Sequence, residues 1–413
     1  MANDKQNTSP NVPNLREQSG IYSGDAERGV LRPQGNVPNK GNVPRLRFPE
    51  FTEDWTRCTI GDYGNVITGS TPSTNDAENY DNGTYLWASP ADLGGTKYIE
   101  LTQTKLTDKG FAKTRCFPAN SILVTCIGST IGKMGMSKIA MSTNQQINTI
   151  VPTGHDANFV YYALQSRFPR YLSSIAVQAV PIISKSAFEK LENHTTQIDE
   201  QNKIGSFLSL LDERINTQNK IIEDLKKLKV AIRDKQLNAI RKHYGVNYQI
   251  CDLLDYDQPT KYVVTDTEYS DDISKTPVLT ANKAFILGYT NETFGVYDKG
   301  KCIILDDFTL DCKYVDFPFK VKSSAIKILT VKNGYSLRYV YEYLNYLNLE
   351  TTEHKRHYIS EIEPMMIAYP TDKKKINDFN NMMSSLERKI EIENKYLQFL
   401  LAQKAYLLIN MFI

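Results

Sequence analysis

The 413-residue chain is long enough for two or three domains, and its hydrophobic content of 41% is ordinary for a soluble protein. Its first residues lack the apolar core of a secretory signal, and no apolar run approaches the roughly 18 residues that a membrane span needs. The six cysteines form no C-x-x-C pair, which indicates reduced thiols and predicts a cytoplasmic protein without a membrane association. A net charge of +2 excludes a basic surface over the whole molecule, so any nucleic-acid binding must rest on local patches.

The first 46 residues differ in composition from the rest. Residues 1–46 are rich in Asn, Pro and Gly and contain "NVPN" twice and then "NVPR". Such a segment buries too little apolar surface to offset its ordering entropy, so it is predicted to be a disordered leader.

The remaining sequence repeats at a spacing of about 175–181 residues. "FVYYALQ" from Phe159 matches "YVYEYLN" from Tyr339, and "SILVT" from Ser121 matches "CIILD" from Cys302. Two long helical patterns align without gaps over residues 211–232 and 386–407. The repeat predicts globular units at 47–198 and 245–370, followed by helices at 199–244 and 371–413.

Each helical pattern has an apolar seam with three- and four-residue spacing, which is typical of a coiled coil. Polar residues interrupt the seams at equivalent places, at Gln218 and Lys229 in the first and at Glu393 and Lys404 in the second. Antiparallel pairing can place Lys229 opposite Glu393 and Gln218 opposite Lys404. We therefore predict one intramolecular antiparallel coiled coil; two amphipathic helices on separate cores are the alternative.

The globular units have short segments rich in Val, Ile, Thr and Tyr, broken often by turn residues, which predicts mainly β structure with some helix. The predicted fold class is α+β. It comprises two mainly β domains separated by two long helices that pair as an antiparallel coiled coil, with a pseudo-twofold internal repeat.

The loop "GSTIGK" of residues 128–133 resembles a nucleotide-binding P-loop without meeting its requirements. A P-loop has four residues between its glycines and a hydroxyl residue after its lysine. Here three residues separate Gly128 from Gly132, and Lys133 is followed by Met134. The loop is predicted to be a strand-turn that holds no nucleotide.

Other catalytic interpretations also lack support. "HKRHY" at 354–358 has two histidines without a metal-binding helix motif, and it is interpreted as a basic loop. Asp306, Asp307 and Asp311 could hold magnesium, but no lysine-bearing nuclease pattern follows them. DNA amino-methyltransferase motifs are missing too, so the chain is predicted to have no catalytic residue and no metal site.

The positive signals are amide, hydroxyl and basic side chains in loops. Asn and Gln can read adenine, Arg and Lys can read guanine, and Ser and Thr can contact bases or phosphates. Ordinary turn residues are the alternative interpretation of each. The candidate DNA-binding residues are Ser70, Thr71, Ser89, Ser129, Thr130, Lys133, Asn144, Gln145, Gln146, Lys283, Tyr289, Thr290, Lys320, Lys322, Ser323, His354 and Arg356.

Together these segments resemble the DNA-specificity subunit of type I restriction–modification systems. The resemblance rests on "TIGDYGNVITGSTPST", "YLWASPADLGG", "FPANSILVTCIGSTIGK", "STNQQI" and "IDEQNKIGSFLSLLDERI" in the first repeat. In the second repeat it rests on "TPVLTANKAFILGYTNETFG", "VDFPFKVKSSAIKIL" and the second long helix.

The resemblance implies a chain without chemistry of its own, in which each target-recognition domain reads one half of a bipartite sequence of double-stranded DNA. The coiled coil would set the spacer and dock two methyltransferase subunits that carry S-adenosylmethionine. Restriction subunits, which are motor–nucleases that use ATP and Mg²⁺, would join them. A structural or interaction protein that binds no DNA is the alternative, which the acidic second unit favours.

Overall fold

The computed structural model describes residues 42–174, 181–281, 285–351, 353 and 355–413. Residues 1–41 of the predicted leader lie outside the described residues. The chain divides into two compact units. The first comprises the described part of Met1–Lys220 together with Lys395–Ile413, and the second comprises the described part of Ile221–Asn394.

The first unit contains two larger sheets and a two-stranded ribbon. Its strands are β1 (Thr56–Thr59), β2 (Gly64–Thr68), β3 (Tyr85–Ala88), β4 (Tyr98–Ile99), β5 (Thr104–Leu106), β6 (Cys116–Phe117), β7 (Ile122–Thr125), β8 (Met134–Ser137), β9 (Met141–Thr143), β10 (Ile147–Pro152) and β11 (Glu192–Thr195). Its α-helices are α1 (Asp108–Ala112), α2 (Ala157–Ser174) and α3 (Lys185–Glu189), with 3-10 turns at Ile60–Tyr63, Ala77–Asn79 and Pro90–Asp92.

The sheets of the first unit have the strand orders β2-β10-β7-β8-β4 and β5-β3-β9-β6, and β1 pairs with β11. In the second sheet β3 and β9 run parallel, whereas β3–β5 and β6–β9 are antiparallel. The core between the five-stranded sheet and helix α2 is aromatic, with Trp55, Tyr63, Phe159 and Tyr162 all buried.

The first long helix, α4, spans Ile198–Tyr244. Asp199 and Glu200 lie in its first turn and Arg241 and Lys242 in its last, a placement that complements the helix dipole at both ends. Gly245 ends the helix with a φ of +67°, a left-handed conformation that glycine adopts without a steric penalty.

The second unit contains strands β12 (Tyr248–Gln249), β13 (Leu254–Asp257), β14 (Thr276–Leu279), β15 (Ile286–Thr290), β16 (Cys302–Asp306), β17 (Cys312–Val315), β18 (Lys320–Val321), β19 (Ile326–Val331) and β20 (Met366–Ile367). Its shorter helices are α5 (Ile250–Leu253) and α6 (Leu337–Leu347), with a 3-10 turn at Pro259–Tyr262 and a π-helical turn at Tyr358–Ile362. The second long helix, α7, spans Lys373–Asn410.

The second unit repeats the topology of the first. Its sheets have the orders β13-β19-β16-β17 and β15-β14-β18, and β12 pairs with β20. As in the first unit, the smaller sheet contains one parallel pair, here β14 with β18. The predicted matches between "SILVT" and "CIILD" and between the helices from Phe159 and Tyr339 fall on β7 and β16 and on α2 and α6. The predicted internal repeat is thus present at the level of strand order.

The long helices run antiparallel within each unit. In the first unit the Lys404 Nζ atom lies 2.7 Å from Asp212 Oδ1, and the Arg214 guanidinium lies 5.5 Å from the centre of the Tyr396 ring. In the second unit α4 residue Lys229 contacts Glu387, while Tyr244, further along α4, contacts Lys375. As residue numbers increase along α4, the numbers of the contacting residues on α7 decrease. The predicted fold class is confirmed.

The predicted register of the two helices is wrong. Lys229 pairs with Glu387 and with Glu342 of α6, at 3.5 and 3.3 Å, where the prediction had Glu393. Lys404 pairs with Asp212, which lies on α4 about 1.7 turns before the predicted partner, Gln218. Helices α2 and α6 pack against the long helices and fix these partners, so the seam pattern alone does not determine the register.

A buried lysine joins the first unit's sheet to α2 and α4. Lys97, just before β4, is 6% exposed and donates hydrogen bonds to Asn158 Oδ1 at 2.7 Å, Ser209 Oγ at 2.7 Å and Tyr162 Oη at 3.1 Å. Burial lowers the pKa of this ammonium group to about 8. An unfolded lysine has a pKa of about 10.4, so the unfolded chain binds more protons between pH 8 and 10.

This difference predicts a pH-dependent stability of the first unit. The contribution of Lys97 to the free energy of unfolding should rise with pH from 8 to 10, since the folded form gives up its proton first. Urea unfolding at several pH values, followed by tryptophan fluorescence, measures it because Trp55 and Trp87, the chain's 2 tryptophans, both belong to this unit. The free energy of unfolding of wild type should therefore increase relative to that of Lys97→Met as the pH rises. A difference that is independent of pH contradicts the assignment.

Candidate nucleic-acid interface

The predicted polar residues of the first unit meet where β2 and β9 end. The backbone N–H of Gly69 donates to Ile147 O at 3.0 Å, and that of Ser70 donates to Thr143 O at 2.8 Å. The Thr71 hydroxyl donates to Oε1 of Gln145. Two loops that are distant in sequence are therefore joined through both backbone and side chains.

Glycine is required at the centre of this junction. A Cβ atom on Gly69 would lie 2.1 Å from the carbonyl oxygen of Asn144 and 2.3 Å from Thr143 Oγ1. The close approach holds the turn of residues 144–146 against the 69–71 loop. The Trp87 indole N–H adds a hydrogen bond to Ser70 O at 3.0 Å.

The turn after β9 orients two glutamines. The backbone N–H of Gln146 donates to Asn144 Oδ1 at 3.1 Å, and Asn144 Nδ2 donates in turn to Gln146 Oε1 at 3.0 Å. Asn144 itself is buried, so its amide orients the turn and is not available to a ligand. Gln145 is exposed and Gln146 is half-buried.

The loop "GSTIGK" forms the connection between β7 and β8. Gly128 and Gly132 have φ values of +97° and +92°, which explains both glycines without any role for a phosphate. Ser129 is exposed and Thr130 is half-buried. The exposed Lys133 has its aliphatic chain beside Gly94, where an added Cβ would lie 3.3 Å from it.

Replacing Gly132 by alanine is expected to destabilise the first unit. The new Cβ would lie 2.8 Å from Phe168 Cδ1, and the residue would remain in a left-handed conformation. Gly154→Ala is the matched control, since Gly154 has a φ of +73° with no atom within 4 Å of the added Cβ. Overpacking should make Gly132→Ala more costly than its control by about 1–3 kcal/mol in urea unfolding followed by tryptophan fluorescence. Equal losses for both variants are incompatible with a tight Phe168 contact.

Two further residues near the junction have roles that the sequence did not predict. The candidate Ser89 is engaged in capping the turn at Pro90–Asp92, where its hydroxyl and N–H both donate to Asp92 Oδ2 at 2.8 Å. Arg115 was not a candidate, yet its N–H donates to Ser70 Oγ at 3.0 Å and its Nη1 donates to Thr68 O at 2.9 Å. Arg115 is exposed and lies beside the same loop that holds Gln145.

Two candidate DNA-binding residues of the second unit are buried. Lys320 is completely buried, with its Nζ 2.7 Å from Glu292 Oε2 and donating to Phe294 O at 2.8 Å. Thr290 is also buried, and its hydroxyl accepts the N–H of Glu292 at 3.2 Å. Both side chains support the strand ends internally. Burial of both side chains in this conformation gives no support to a direct DNA contact by either, and their role as DNA contacts stays a prediction.

Four candidates of the second unit are accessible. Lys322, Ser323 and Arg356 are exposed, and Tyr289 is half-buried on β15. Their role as DNA contacts stays a prediction. Lys283 and His354 lie outside the described residues.

The acidic and histidine-containing segments are used for internal hydrogen bonds. Asp306 Oδ1 accepts the N–H groups of Phe308 and Thr309, and Asp307 Oδ1 accepts those of His357 and Tyr358. Asp307 also pairs with Lys327 at 3.2 Å.

No group of three metal-ligating side chains occurs among the described residues. In the same described part of the chain, no helix combines the length and apolar character that crossing a bilayer requires.

A family model described as the type I restriction modification DNA specificity domain matches residues 52–227. These residues are therefore similar to this family's domain. The resemblance indicated by the motifs of the first repeat is thereby confirmed. The match covers the first unit's sheets, the junction of the 69–71 and 144–146 loops, and the first part of α4.

Curated specificity subunits are similar to parts of this chain. The specificity subunit of the type I restriction enzyme EcoR124I/EcoR124II from Escherichia coli is 51% identical over 121 residues, which is 28% of this chain and 30% of that protein. The MjaIX specificity subunit from Methanocaldococcus jannaschii is 31% identical over 186 residues, 43% of each protein. The chain thus matches less than half the length of either relative.

Solved structures are similar in fold over most of the chain. The S subunit of a type I restriction–modification system from M. genitalium aligns with a TM-score of 0.58 and 18% identity, over 90% of this chain and 99% of that one. A chain from a structure of complex assembly in the type I R-M system aligns with a TM-score of 0.52 and 10% identity, over 86% and 96%. At these identities the likeness establishes the fold alone.

Proposed function

We propose that this chain is the sequence-specific DNA-binding subunit of a type I restriction–modification complex. Each unit reads one half of a bipartite, asymmetric site in double-stranded DNA. The family of residues 52–227 and the similar specificity subunits support this role.

The proposal that the two units recognise different base sequences rests on one observation. The loop that follows the parallel-paired strand is Asn144-Gln145-Gln146 after β9 in the first unit. In the second unit the equivalent loop, after β18, begins with the exposed Lys322 and Ser323. Amides at one site and a lysine with a hydroxyl at the other have different hydrogen-bonding capacities, so equivalent loops would select different base pairs.

The antiparallel helices would set the spacer between the half-sites and dock two methyltransferase subunits. The spacing of half-sites follows from protein geometry in other DNA-binding proteins. In this proposal the chain performs no chemistry. S-adenosylmethionine belongs to the methyltransferase partners, and ATP and Mg²⁺ belong to the restriction subunits.

Variants of the two loops test the proposal. Methylation would be mapped in cells that express the chain with its methyltransferase, for wild type, Gln145→Ala and the double variant Lys322→Ala with Ser323→Ala. We expect a bipartite motif, with Gln145→Ala relaxing one half and the double variant relaxing the other. If both variants relax the same half, or neither changes the motif, the two-reader model is wrong. A methylation pattern that does not depend on the chain favours a protein-interaction role.

A further inference from the structure

We propose that Arg115, together with Gln145 and Gln146, reads a guanine through its major-groove edge in the half-site of the first unit. This inference rests on the proposed function and names the base chemistry that the first unit recognises. The sequence alone predicts that amide side chains contact adenine. The hydrogen bonds that the Gln145 and Gln146 amides make within the protein favour guanine instead.

The first step concerns Gln146. A backbone N–H can only donate, so the Asn144 atom that Gln146 N–H contacts at 3.1 Å must be the oxygen Oδ1. The other end of the Asn144 amide is then Nδ2, a donor, and the Gln146 atom that it contacts at 3.0 Å must be the oxygen Oε1. The Gln146 carbonyl oxygen is therefore engaged within the protein. Its Nε2 group makes no hydrogen bond to any described residue.

Gln145 contacts a hydroxyl instead of a backbone N–H. Its Oε1 accepts the Thr71 hydroxyl, and its Nε2 likewise has no partner among residues that the structure describes. Reading adenine bidentately requires an amide oxygen for the N6 amino group and an amide nitrogen for N7. Each carbonyl oxygen already accepts one protein hydrogen bond, so the NH₂ groups are the part of the two glutamines that keeps its full hydrogen-bonding capacity.

Arg115 adds further donors to this surface. Its N–H is fixed to Ser70 Oγ, next to the Thr71 that holds Gln145, so Arg115 and Gln145 flank one dipeptide. One of the five guanidinium N–H donors is directed to Thr68 O at 2.9 Å, and no described acidic residue pairs with the group. Strand β6, which begins at the next residue, pairs with β9 and anchors the backbone of Arg115 beside the glutamine turn.

The cluster formed by Arg115, Gln145 and Gln146 is thus rich in donors. Guanine presents two acceptors, N7 and O6, in the major groove, whereas adenine presents one acceptor and one donor. A surface of donors fits the guanine edge and leaves the adenine amino group facing another donor. Phosphate binding by Arg115 is the competing use of the same charge, and it would carry no base information.

Modified duplexes separate base reading from phosphate binding. The methylation motif of wild type first defines both halves, and Gln145→Ala identifies the half read by the first unit. Binding of the assembled chain–methyltransferase complex is then measured on duplexes in which 7-deazaguanine replaces each guanine of that half in turn. This base keeps Watson–Crick pairing and lacks only the N7 acceptor.

At one guanine we expect the replacement to weaken wild-type binding by about 2- to 12-fold, the range for the loss of one hydrogen bond, because O6 remains available as an acceptor. With Arg115→Ala the same replacement should have little further effect, because the guanidinium donors that contact N7 are then absent. Arg57→Ala, which removes an exposed arginine on β1 outside this cluster, is the matched control and should behave as wild type.

Two outcomes overturn the inference while leaving the proposed function intact. The first is a wild-type complex that methylates a bipartite motif but binds all 7-deazaguanine duplexes equally well. The second is an Arg115→Ala complex that binds more weakly to every duplex but keeps the wild-type sensitivity to 7-deazaguanine, which assigns Arg115 to phosphate. A methylation pattern that does not require this chain would remove both proposals together.

Discussion

Replacing the buried Lys320 by methionine is expected to destabilise the second unit by about 3–5 kcal/mol, because it leaves the Glu292 carboxylate without its ammonium partner. The loss should appear as faster hydrogen exchange in β14, β15 and β18, the three strands of the sheet that contains Lys320. Lys322→Met is the control, since Lys322 is exposed two residues away and should cost less than about 0.5 kcal/mol.

The ion pair of Lys320 with Glu292 also predicts how the destabilisation by Lys320→Met depends on pH. Desolvation raises the pKa of Glu292, but hydrogen bonds from Lys320, Thr265 and the N–H groups of Thr265 and Asp266 outweigh it and lower that pKa to about 2. A depressed carboxylate pKa stabilises the fold above the unfolded value of about 4.3, and the contribution disappears as the pH falls toward 2. The stability gap between wild type and Lys320→Met should therefore narrow in acid. A gap that widens in acid, or equal exchange in both lysine variants at neutral pH, refutes this role for Lys320.

Replacing Lys404 by methionine is expected to cost the first unit about 3 kcal/mol. Asp212 Oδ1 would lose its ion pair at 2.7 Å, and the Tyr162 hydroxyl, which donates to Oδ2 at 2.7 Å, would be left as the hydrogen-bond donor among the described residues. Urea unfolding followed by tryptophan fluorescence measures the loss because both tryptophans belong to this unit.

A double-mutant cycle assigns this loss to the pair. The combination of Lys404→Met with Asp212→Leu should be more stable than the sum of the single effects predicts, by about 1–3 kcal/mol. Lys389→Met, on the same helix and in an exposed pair with Glu393, should cost less than about 0.5 kcal/mol. Strict additivity of the two single substitutions would mean that Lys404 and Asp212 are not coupled.

The element order was predictable from the sequence because it rests on local patterns. The apolar seams indicated both long helices, and the matched segments at Ser121 and Cys302 fell on equivalent strands. The register was not predictable from the seams, because an antiparallel pair keeps apolar contacts in more than one alignment. Glu342, a partner of Lys229, lies on α6 and more than 100 residues away in sequence.

The candidate interface was only partly predictable for the same reason. Asn144, Gln145 and Gln146 were identified by residue type, but the assignment of Asn144 to internal hydrogen bonds needed the fold. Arg115 was missed because its contact with Ser70 joins residues 45 positions apart. Lys320 and Lys322 look alike in "FKVK", yet only the position of Glu292 shows that the first is buried.

The central claim is that this chain selects the DNA sequence that a methyltransferase partner modifies. Mapping DNA methylation across the genome of host cells with and without the chain tests it most directly. The account predicts that methylation at one bipartite, asymmetric motif disappears when the chain is removed and returns when it is supplied again. An unchanged methylation map, with the methyltransferase expressed in both strains, would contradict the account.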